Sequence, residues 1–456
     1  MVITADRPSH LIDVGDGQTI RQENVYQQHI EYAALCKEGE EFQSYNETEI
    51  NTALNTAIEG QGPVHINVPF SEPLYEIVAE AQITPLDIPP RLFSEQRLEG
   101  NLISYTEKWR KSPRKMVLVG TLPPHSVEAR FLEVLANDPS VIVLTETTSN
   151  LHHPSFFPAI DQLISPLDDE EFKKLQPELL LTFGGMIVSK RIKAFLRKYT
   201  PKEHWHIGPK TANNTFFCLT KHFKNTPNYF FNHFLKDSKA VENYQSYWLK
   251  VRNGRLGKHD VFVAQVTYSD FKVYEAIFRK IPQQHLLQLA NSTAIRYAQL
   301  FALHPSLSVF CNRGTSGIDG STSTAIGAAV ASGHPTVLVT GDLSFFYDSN
   351  ALWNQYIPAS FRIILVNNGG GGIFRILPKA KTMSHFERFF ETKHSLTAVH
   401  LCAMFGFDYF SAQNSQQVEN TLEEFFKGSD RPKLLEVFTP SEVNDLQLNA
   451  YFKAIG

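Results

Sequence analysis

The sequence predicts an α/β protein of three doubly wound layers, the first of them short. Two observations carry that expectation. Short apolar runs of buried-strand type alternate with helical segments, the pattern of parallel sheets covered on both faces. The 456 residues also accommodate about three layers at roughly 150 residues each, and no repeat of roughly 20–50 residues points to a solenoid.

Taken in order, Val2-Ile3-Thr4 reads as the end of a buried strand. Asn46–Gly60 reads as a helix, with Asn46 as N-cap and Glu49 three residues on. Gly62-Pro63-Val64-His65-Ile66-Asn67-Val68-Pro69 reads as a strand bounded by prolines. Residues 1–82 thus form the first domain, and the proline-bearing stretch within 83–95 a linker. The central domain, 96–240, holds strands at Met116–Gly120, Val141–Thr145 and Leu179–Phe183, and the basic run Lys108–Lys115 reads as a solvated helix end. A polar, aromatic-rich connection over 241–262 leads to the third domain, 263–456. There Val337–Thr340, Ile363–Val366 and Leu434–Phe438 are the strands.

Composition narrows the function classes. With 43 Lys+Arg against 47 Asp+Glu the chain carries no overall basic footprint, so no nucleic-acid partner is expected. Thirty-four Phe, 16 Tyr and 20% charged residues make a globular composition. No apolar run approaches the ~20 residues of a membrane span, and the first residues lack a signal peptide's basic and apolar regions. Cys36, Cys218, Cys311 and Cys402 show neither a CxxC nor a zinc spacing and read as thiols of a reducing compartment. A cytoplasmic protein without membrane contact is the expectation.

The chemistry-bearing stretch is 337–378. One strand ends in Gly341-Asp342-Leu343-Ser344 and a second in Asn367-Asn368, followed by Gly369-Gly370-Gly371-Gly372-Ile373-Phe374. Asp342 and Asn368 lie 26 positions apart, each just past a strand's carboxyl end, where open α/β sheets bind ligands. A carboxylate and an amide oxygen are hard ligands suited to Mg²⁺, which completes its shell with phosphate and water. Mn²⁺ accepts the same oxygens. Gly370 offers a backbone carbonyl, and glycines let the chain approach a phosphate with no Cβ in the way. The amides of Leu343 and Ser344, at a helix start, favour diphosphate oxygens. Singly, Gly-Asp is most often a helix cap and Asn-Asn a turn; jointly they make a metal–diphosphate cradle. Gly15-Asp16-Gly17 has similar letters but no Asn-Asn at that distance, and reads as a turn. P-loop, GxGxxG, GxSxG and HExxH patterns are all missing, and His152-His153 reads as loop.

The Gly-Asp…Asn-Asn-Gly arrangement resembles the thiamine-diphosphate signature. Further segments sharpen it: Thr4-Ala5-Asp6-Arg7-Pro8 with Gln18, Gly62–Pro69, Ser189-Lys190-Arg191, Asn291-Ser292 with Arg296, and Asn312-Arg313-Gly314-Thr315-Ser316-Gly317-Ile318-Asp319-Gly320. Together they resemble the 2-succinyl-5-enolpyruvyl-6-hydroxy-3-cyclohexene-1-carboxylate synthases, the thiamine-dependent family of menaquinone biosynthesis, over nearly the whole chain. The segments at 4–8 and 312–320 set it apart from acetolactate synthase and pyruvate decarboxylase.

That resemblance implies a thiamine-diphosphate-binding fold whose first domain is truncated here, with thiamine diphosphate and Mg²⁺ (or Mn²⁺) as cofactors. It implies a condensation in which 2-oxoglutarate loses CO₂ and its four-carbon acyl carbanion equivalent adds to isochorismate. Both substrates are dicarboxylates, which guanidinium groups suit. By matching position, Arg7, Gln18, Lys190, Ser292, Arg296 and Arg313 contact substrate, and Arg296, Arg313 and Ile318 serve catalysis. Ile318 is the apolar wedge that bends the cofactor; Gly341, Leu343, Ser344, Ile373 and Phe374 complete its pocket. Asp342, Asn368 and Gly370 hold the metal. A homodimer or homotetramer is implied, because in that family the site forms between two subunits.

Two departures stand out. Gly17 replaces an Asn usual in the family. The family also has about a hundred residues before its Thr-Ala-Asp-Arg-Pro segment, with a Ser-Arg pair and the glutamate that activates the aminopyrimidine. No glutamate here takes that role by motif, so little turnover is expected of this chain alone. Two alternatives stand beside the synthase reading: another thiamine-dependent 2-oxoacid decarboxylase or synthase, and a truncated, non-catalytic homologue.

Overall fold

The computed structural model describes residues 1–456 except 73, 74, 76, 78, 81, 82, 92, 96, 97, 99–101, 236–242 and 377–381. The chain forms two compact units, Met1–Gln96 and Arg97–Gly456. The boundaries expected at 82, 96 and 240–241 fall on residues outside those described.

In the first unit, strands β1 (Val2–Asp6), β2 (Tyr32–Leu35) and β3 (Val64–Pro69) form a parallel sheet in the order β1-β3-β2. Its small core joins Ala34, Val64 and Ile66 to Ala53 of the helix Gln43–Gly60. Val2-Ile3-Thr4 is a strand but not a buried one: β1 lies at the sheet edge, and Ile3 is 62% exposed. Asn46 is not the N-cap. The helix starts one turn earlier, and the Asn46 amide instead bonds both the N–H and the carbonyl of Lys37. The expected linker is tied down, because Asn51 on the helix donates to the Leu86 carbonyl and accepts from the Ile88 N–H.

The second unit contains two parallel sheets. One, ordered β5-β4-β6-β7-β8, comprises β4 (Lys115–Val119), β5 (Val141–Leu144), β6 (Leu179–Phe183), β7 (Glu203–Ile207) and β8 (Lys221–Phe223). Every residue of β4, β5 and β6 is buried, which is why these strands read as largely apolar runs. The other, ordered β10-β9-β11-β12-β14-β13, comprises β9 (Leu286–Leu289), β10 (Ser308–Cys311), β11 (Thr336–Gly341), β12 (Arg362–Asn367), β13 (Asp408–Ala412) and β14 (Lys433–Phe438). The chain reverses direction across this sheet between β9 and β11, which opens a crevice at their carboxyl ends.

Two further expectations are corrected. Within the connection expected over 241–262 the described residues from 244 on belong to a helix, Tyr244–Gln265, that buries Tyr244, Trp248 and Arg255. The basic run is a helix end only as far as Lys111; Lys115 is fully buried and pairs with Asp138 at 3.2 Å. The two layers expected as separate domains cluster as one unit because residues 147–150 staple them. Asn150 Nδ2 donates to the Val309 carbonyl and its Oδ1 accepts the Val309 N–H, while Thr147 N–H donates to Gln299. Among the described residues no helix is long and apolar enough to cross a membrane.

One polar chain sits inside the first of these sheets. The Thr182 hydroxyl on β6 lies 2.9 Å from both His204 Nε2 and His206 Nδ1 on β7. Burial pushes each imidazole down to about 4. Both are therefore neutral in the fold, whereas the unfolded chain takes up protons below about pH 6.5. The unfolded state binds more protons between those values, so stability present above about pH 6.5 is lost as pH falls towards 4. For fully buried His204 the contribution is on the order of 3 kcal/mol. Thermal melts at about pH 7 and about pH 4.5 should show a smaller acid drop in His204→Gln than in the parent; equal drops would remove this cause.

Candidate cofactor and metal site

The predicted residues gather at the carboxyl ends of four adjacent strands. Asn291 and Ser292 follow β9, Arg313 and Ile318 follow β10, Asp342 follows β11 and Asn368 follows β12. Gly341 is the last residue of β11, and Asp342 opens the short helix Asp342–Tyr347.

The Asp342 carboxylate joins two strand ends. Its Oδ1 accepts the Leu343 N–H at 2.7 Å and its Oδ2 accepts the Gly370 N–H at 2.9 Å. The Leu343 amide is therefore engaged by Asp342 rather than turned to a phosphate. The Ser344 hydroxyl donates to the Ile318 carbonyl at 2.6 Å, which ties half-buried Ile318 to the start of that helix. Gly370 has φ +149°, and a Cβ there would lie 2.5 Å from the Glu391 carbonyl, so only glycine fits. Its own carbonyl accepts the Gly372 N–H at 3.0 Å and keeps a second lone pair. Ile373 is half-buried on the 3-10 turn Gly372–Ile376; Phe374 is 36% exposed, 5.9 Å from Phe390. Buried Glu391 clamps this loop through both its oxygens on Arg375.

Asn367 and Asn368 are each held by a buried carboxylate. Asn367 Nδ2 donates to Glu436 Oε1 at 2.7 Å, and Asn368 Nδ2 donates to Asp270 Oδ2 at 2.9 Å. That leaves Asn368 Oδ1 buried with no partner. An orphaned acceptor inside a protein costs roughly 1–3 kcal/mol, a cost that a cation would remove. An acid, an amide oxygen and a carbonyl at one strand-end crevice fit Mg²⁺. Among the described residues no cluster of three or more His, Cys, Asp or Glu is placed to bind a metal, so this mixed oxygen set does not compete with another.

The cationic residues differ in how free they are. Arg313 Nη1 donates to Asn291 Oδ1 at 3.0 Å, and the Nε atoms of Arg296 and Arg313 are buried without a partner. Asn291 also donates to the carbonyls of Asn312 and Gly317, so one amide shapes the loop that carries Arg313 and Ile318. Ser292 holds φ +69° at the start of the helix Thr293–Ala298 that carries Arg296. Lys190 is exposed at the first position of the helix Lys190–Lys198. Arg7 and Gln18 lie in the first unit. There Arg7 pairs with Asp16 at 3.2 Å and Glu72 at 2.6 Å, so Asp16 of the decoy Gly-Asp-Gly turn holds a cation rather than a metal. Gln18 is exposed, with φ +59°.

Several residues of the site carry no sequence signal. Glu146 accepts the N–H groups of Val188 and Ser189 at 2.7 Å each, just before Lys190, and burial pushes its carboxyl up to about 7. Asp161 accepts from the Ser189 hydroxyl; burial raises its carboxyl, opposed by that bond and by Arg191 and Arg296. His394 Nε2 lies 3.4 Å from Asp342 Oδ2. Because the Leu396 N–H donates to His394 Nδ1, the neutral ring carries its proton on Nε2, towards Asp342. Asp270 belongs to no motif and is the first residue of the helix Asp270–Lys280.

Comparison with known proteins agrees with this geometry. Residues 94–288 match the family description "Middle domain of thiamine pyrophosphate", and residues 292–437 match "Thiamine pyrophosphate enzyme, C-terminal TPP binding domain". Proteins named 2-succinyl-5-enolpyruvyl-6-hydroxy-3-cyclohexene-1-carboxylate synthase are similar throughout. Those of Christiangramia forsetii and Flavobacterium johnsoniae are each 51% identical, over 99% and 100% of this chain and 82% of their own length. That of Porphyromonas gingivalis is 36% identical over 100% of this chain and 81% of its own. With its strand-end cradle and this identity along its length, the chain belongs to the 2-succinyl-5-enolpyruvyl-6-hydroxy-3-cyclohexene-1-carboxylate synthase family of thiamine-diphosphate enzymes.

Proposed function

We propose that this chain decarboxylates 2-oxoglutarate and adds the remaining four-carbon unit to isochorismate, giving 2-succinyl-5-enolpyruvyl-6-hydroxy-3-cyclohexene-1-carboxylate and CO₂ in menaquinone biosynthesis. The observation that carries the reading is the buried, unpartnered Asn368 Oδ1 in the crevice where Asp342 ties β11 to the Gly370 loop. Asp342, Asn368 and the Gly370 carbonyl would hold Mg²⁺ or Mn²⁺, which would neutralise the charge of the cofactor's diphosphate. Thiamine diphosphate supplies the nucleophilic carbon and the electron sink for decarboxylation.

The chain's own residues bind and orient. Ile318, Ile373 and Phe374 wall the cofactor, and the Ser344 bond to the Ile318 carbonyl fixes the wedge. Arg296 and Arg313 present guanidinium groups that no carboxylate of this unit neutralises at bonding distance among the described residues, which suits the carboxylates of both substrates. Lys190 and Ser292 add a cation and a hydroxyl; Arg7 and Gln18 are the first unit's substrate contacts. We place the enzyme in the cytoplasm, in keeping with its four free thiols. A second copy covers the groove lined by Ile326, Gly327, Val330, Trp353 and Tyr356, where Trp353 is 76% and Tyr356 70% exposed.

Three outcomes test this reading. Asp342→Ala should weaken Mg²⁺-dependent thiamine diphosphate binding by about 100-fold or more, since outer partners of metal ligands alone cost roughly 10–100-fold; unchanged affinity by calorimetry would sink the metal assignment. Product analysis should show the condensed dicarboxylate formed from 2-oxoglutarate and isochorismate, with pyruvate used about tenfold less well or worse. Free aldehyde released at the same rate with isochorismate untouched would instead mark a simple decarboxylase. Sedimentation should show a dimer or tetramer that Trp353→Asp shifts towards monomer; a parent chain that is already monomeric would exclude this face as the contact.

A further inference from the structure

The amide of Asn368 can face two ways, and only one presents an oxygen to a metal. Density of charge, not shape, decides between them, because the oxygen and nitrogen of an amide occupy almost the same space. Asp270, the first residue of its helix, sits beside Asn368 although 98 positions away in sequence, and both side chains are buried. An ionised carboxylate only accepts hydrogen bonds, so Asn368 must turn its NH₂ towards Asp270 Oδ2, 2.9 Å away. The opposite edge, Oδ1, is then left without a partner.

Asp270 is itself held in place. Its Oδ1 accepts the Thr439 hydroxyl at 2.5 Å, and its backbone N–H donates to Asn444 Oδ1 at 2.9 Å. Thr439 directly follows β14, the neighbour of β12, so the carboxylate is fixed to the same sheet that carries Asn368. The arrangement parallels Glu436 on β14, which accepts from Asn367. We propose that Asp270 is a positioning residue, whose carboxylate locks the Asn368 amide so that Oδ1 faces the divalent cation that anchors the diphosphate. The inference rests on the metal reading above and adds to it a residue outside the ligand set.

The probe is Mg²⁺, titrated calorimetrically into the full chain with saturating thiamine diphosphate. Asp270→Leu removes the acceptor and frees the amide to turn, so Mg²⁺ affinity should fall about 10–100-fold, the usual cost of losing an outer partner. Asp270→Asn can still offer an oxygen to Asn368 with its NH₂ on Thr439, and should stay within about threefold of the parent. In the Asn368→Ala background, where the amide is gone, Asp270→Leu should cost little more. Undiminished Mg²⁺ affinity in Asp270→Leu, or losses that add fully in the double variant, would overturn the proposal. If Asp270→Leu does not fold, Asn368→Asp decides. It sets two carboxylates against each other and should weaken Mg²⁺ binding, and adding Asp270→Asn should restore a donor–acceptor pair and recover affinity. No recovery in that swap would overturn the proposal. Asn368→Ala alone separates the two readings: a weakened but measurable Mg²⁺ affinity supports the metal site, whereas unchanged affinity there would remove the site itself and not only its positioning.

Discussion

The site depends on carboxylates that are buried where sequence offers them no reason to be. Asp270 opens a helix and Glu436 lies on β14, both are buried, and each accepts the NH₂ of one of two consecutive asparagines. Removing a charge from water is expensive unless its lone pairs are satisfied. Glu436 meets that condition through Asn367, the Thr397 and Tyr409 hydroxyls and the Ala398 N–H; Asp270 through Asn368, Thr439 and its surroundings. The network has one acceptor left over, Asn368 Oδ1, and its direction is set by all the rest. Low dielectric makes such a network stringent: a half-satisfied one costs more than an apolar core.

The same logic joins the two sheets of the second unit. Residues 145–150 follow β5, where a strand end would leave free backbone groups at the sheet's carboxyl edge. Glu146 instead caps the N–H groups ahead of the Lys190 helix, and Asn150, at φ +50°, exchanges two hydrogen bonds with Val309 on β10. The segment that positions Lys190 thus also bonds the strand that leads into Arg313. Cationic groups from the two layers are placed by one short polar stretch, which makes their spacing a property of the fold rather than of long side chains.

How much of this was legible in sequence follows from distance along the chain. Buried parallel strands show as apolar runs, so β4 to β6, β11, β12 and β14 were found within a residue or so. Asp342 and Asn368 were legible because each sits at a strand end that the sequence itself marks. The helix Tyr244–Gln265 was missed because its apolar residues do not recur on one face, leaving no 3.6-residue period to read. Asn46 looked like a cap because local spacing suggested one; a bond to Lys37 nine residues back took its amide instead. Lys115 looked solvated because its partner, Asp138, lies on another segment. Glu146, Asp270 and His394 act through partners 42, 98 and 52 positions away, and no local pattern encodes such pairings.

The arginines show why a charge in the right place is not yet a binding group. A substrate carboxylate gains from a guanidinium only what that guanidinium is not already giving to a neighbour. Arg7 is bonded to Asp16 and Glu72, so recognising an anion with it means exchanging partners that are already close. Arg313 is held by a neutral amide, Asn291 Oδ1, and its Nε has no partner. Burial lowers the Arg296 pKa, opposed by the nearby charge of Asp161. An uncompensated buried cation is strongly disfavoured until an anion arrives. On the proposed reading, Arg296 and Arg313 are therefore readier to meet a substrate carboxylate than Arg7, whose guanidinium already holds two.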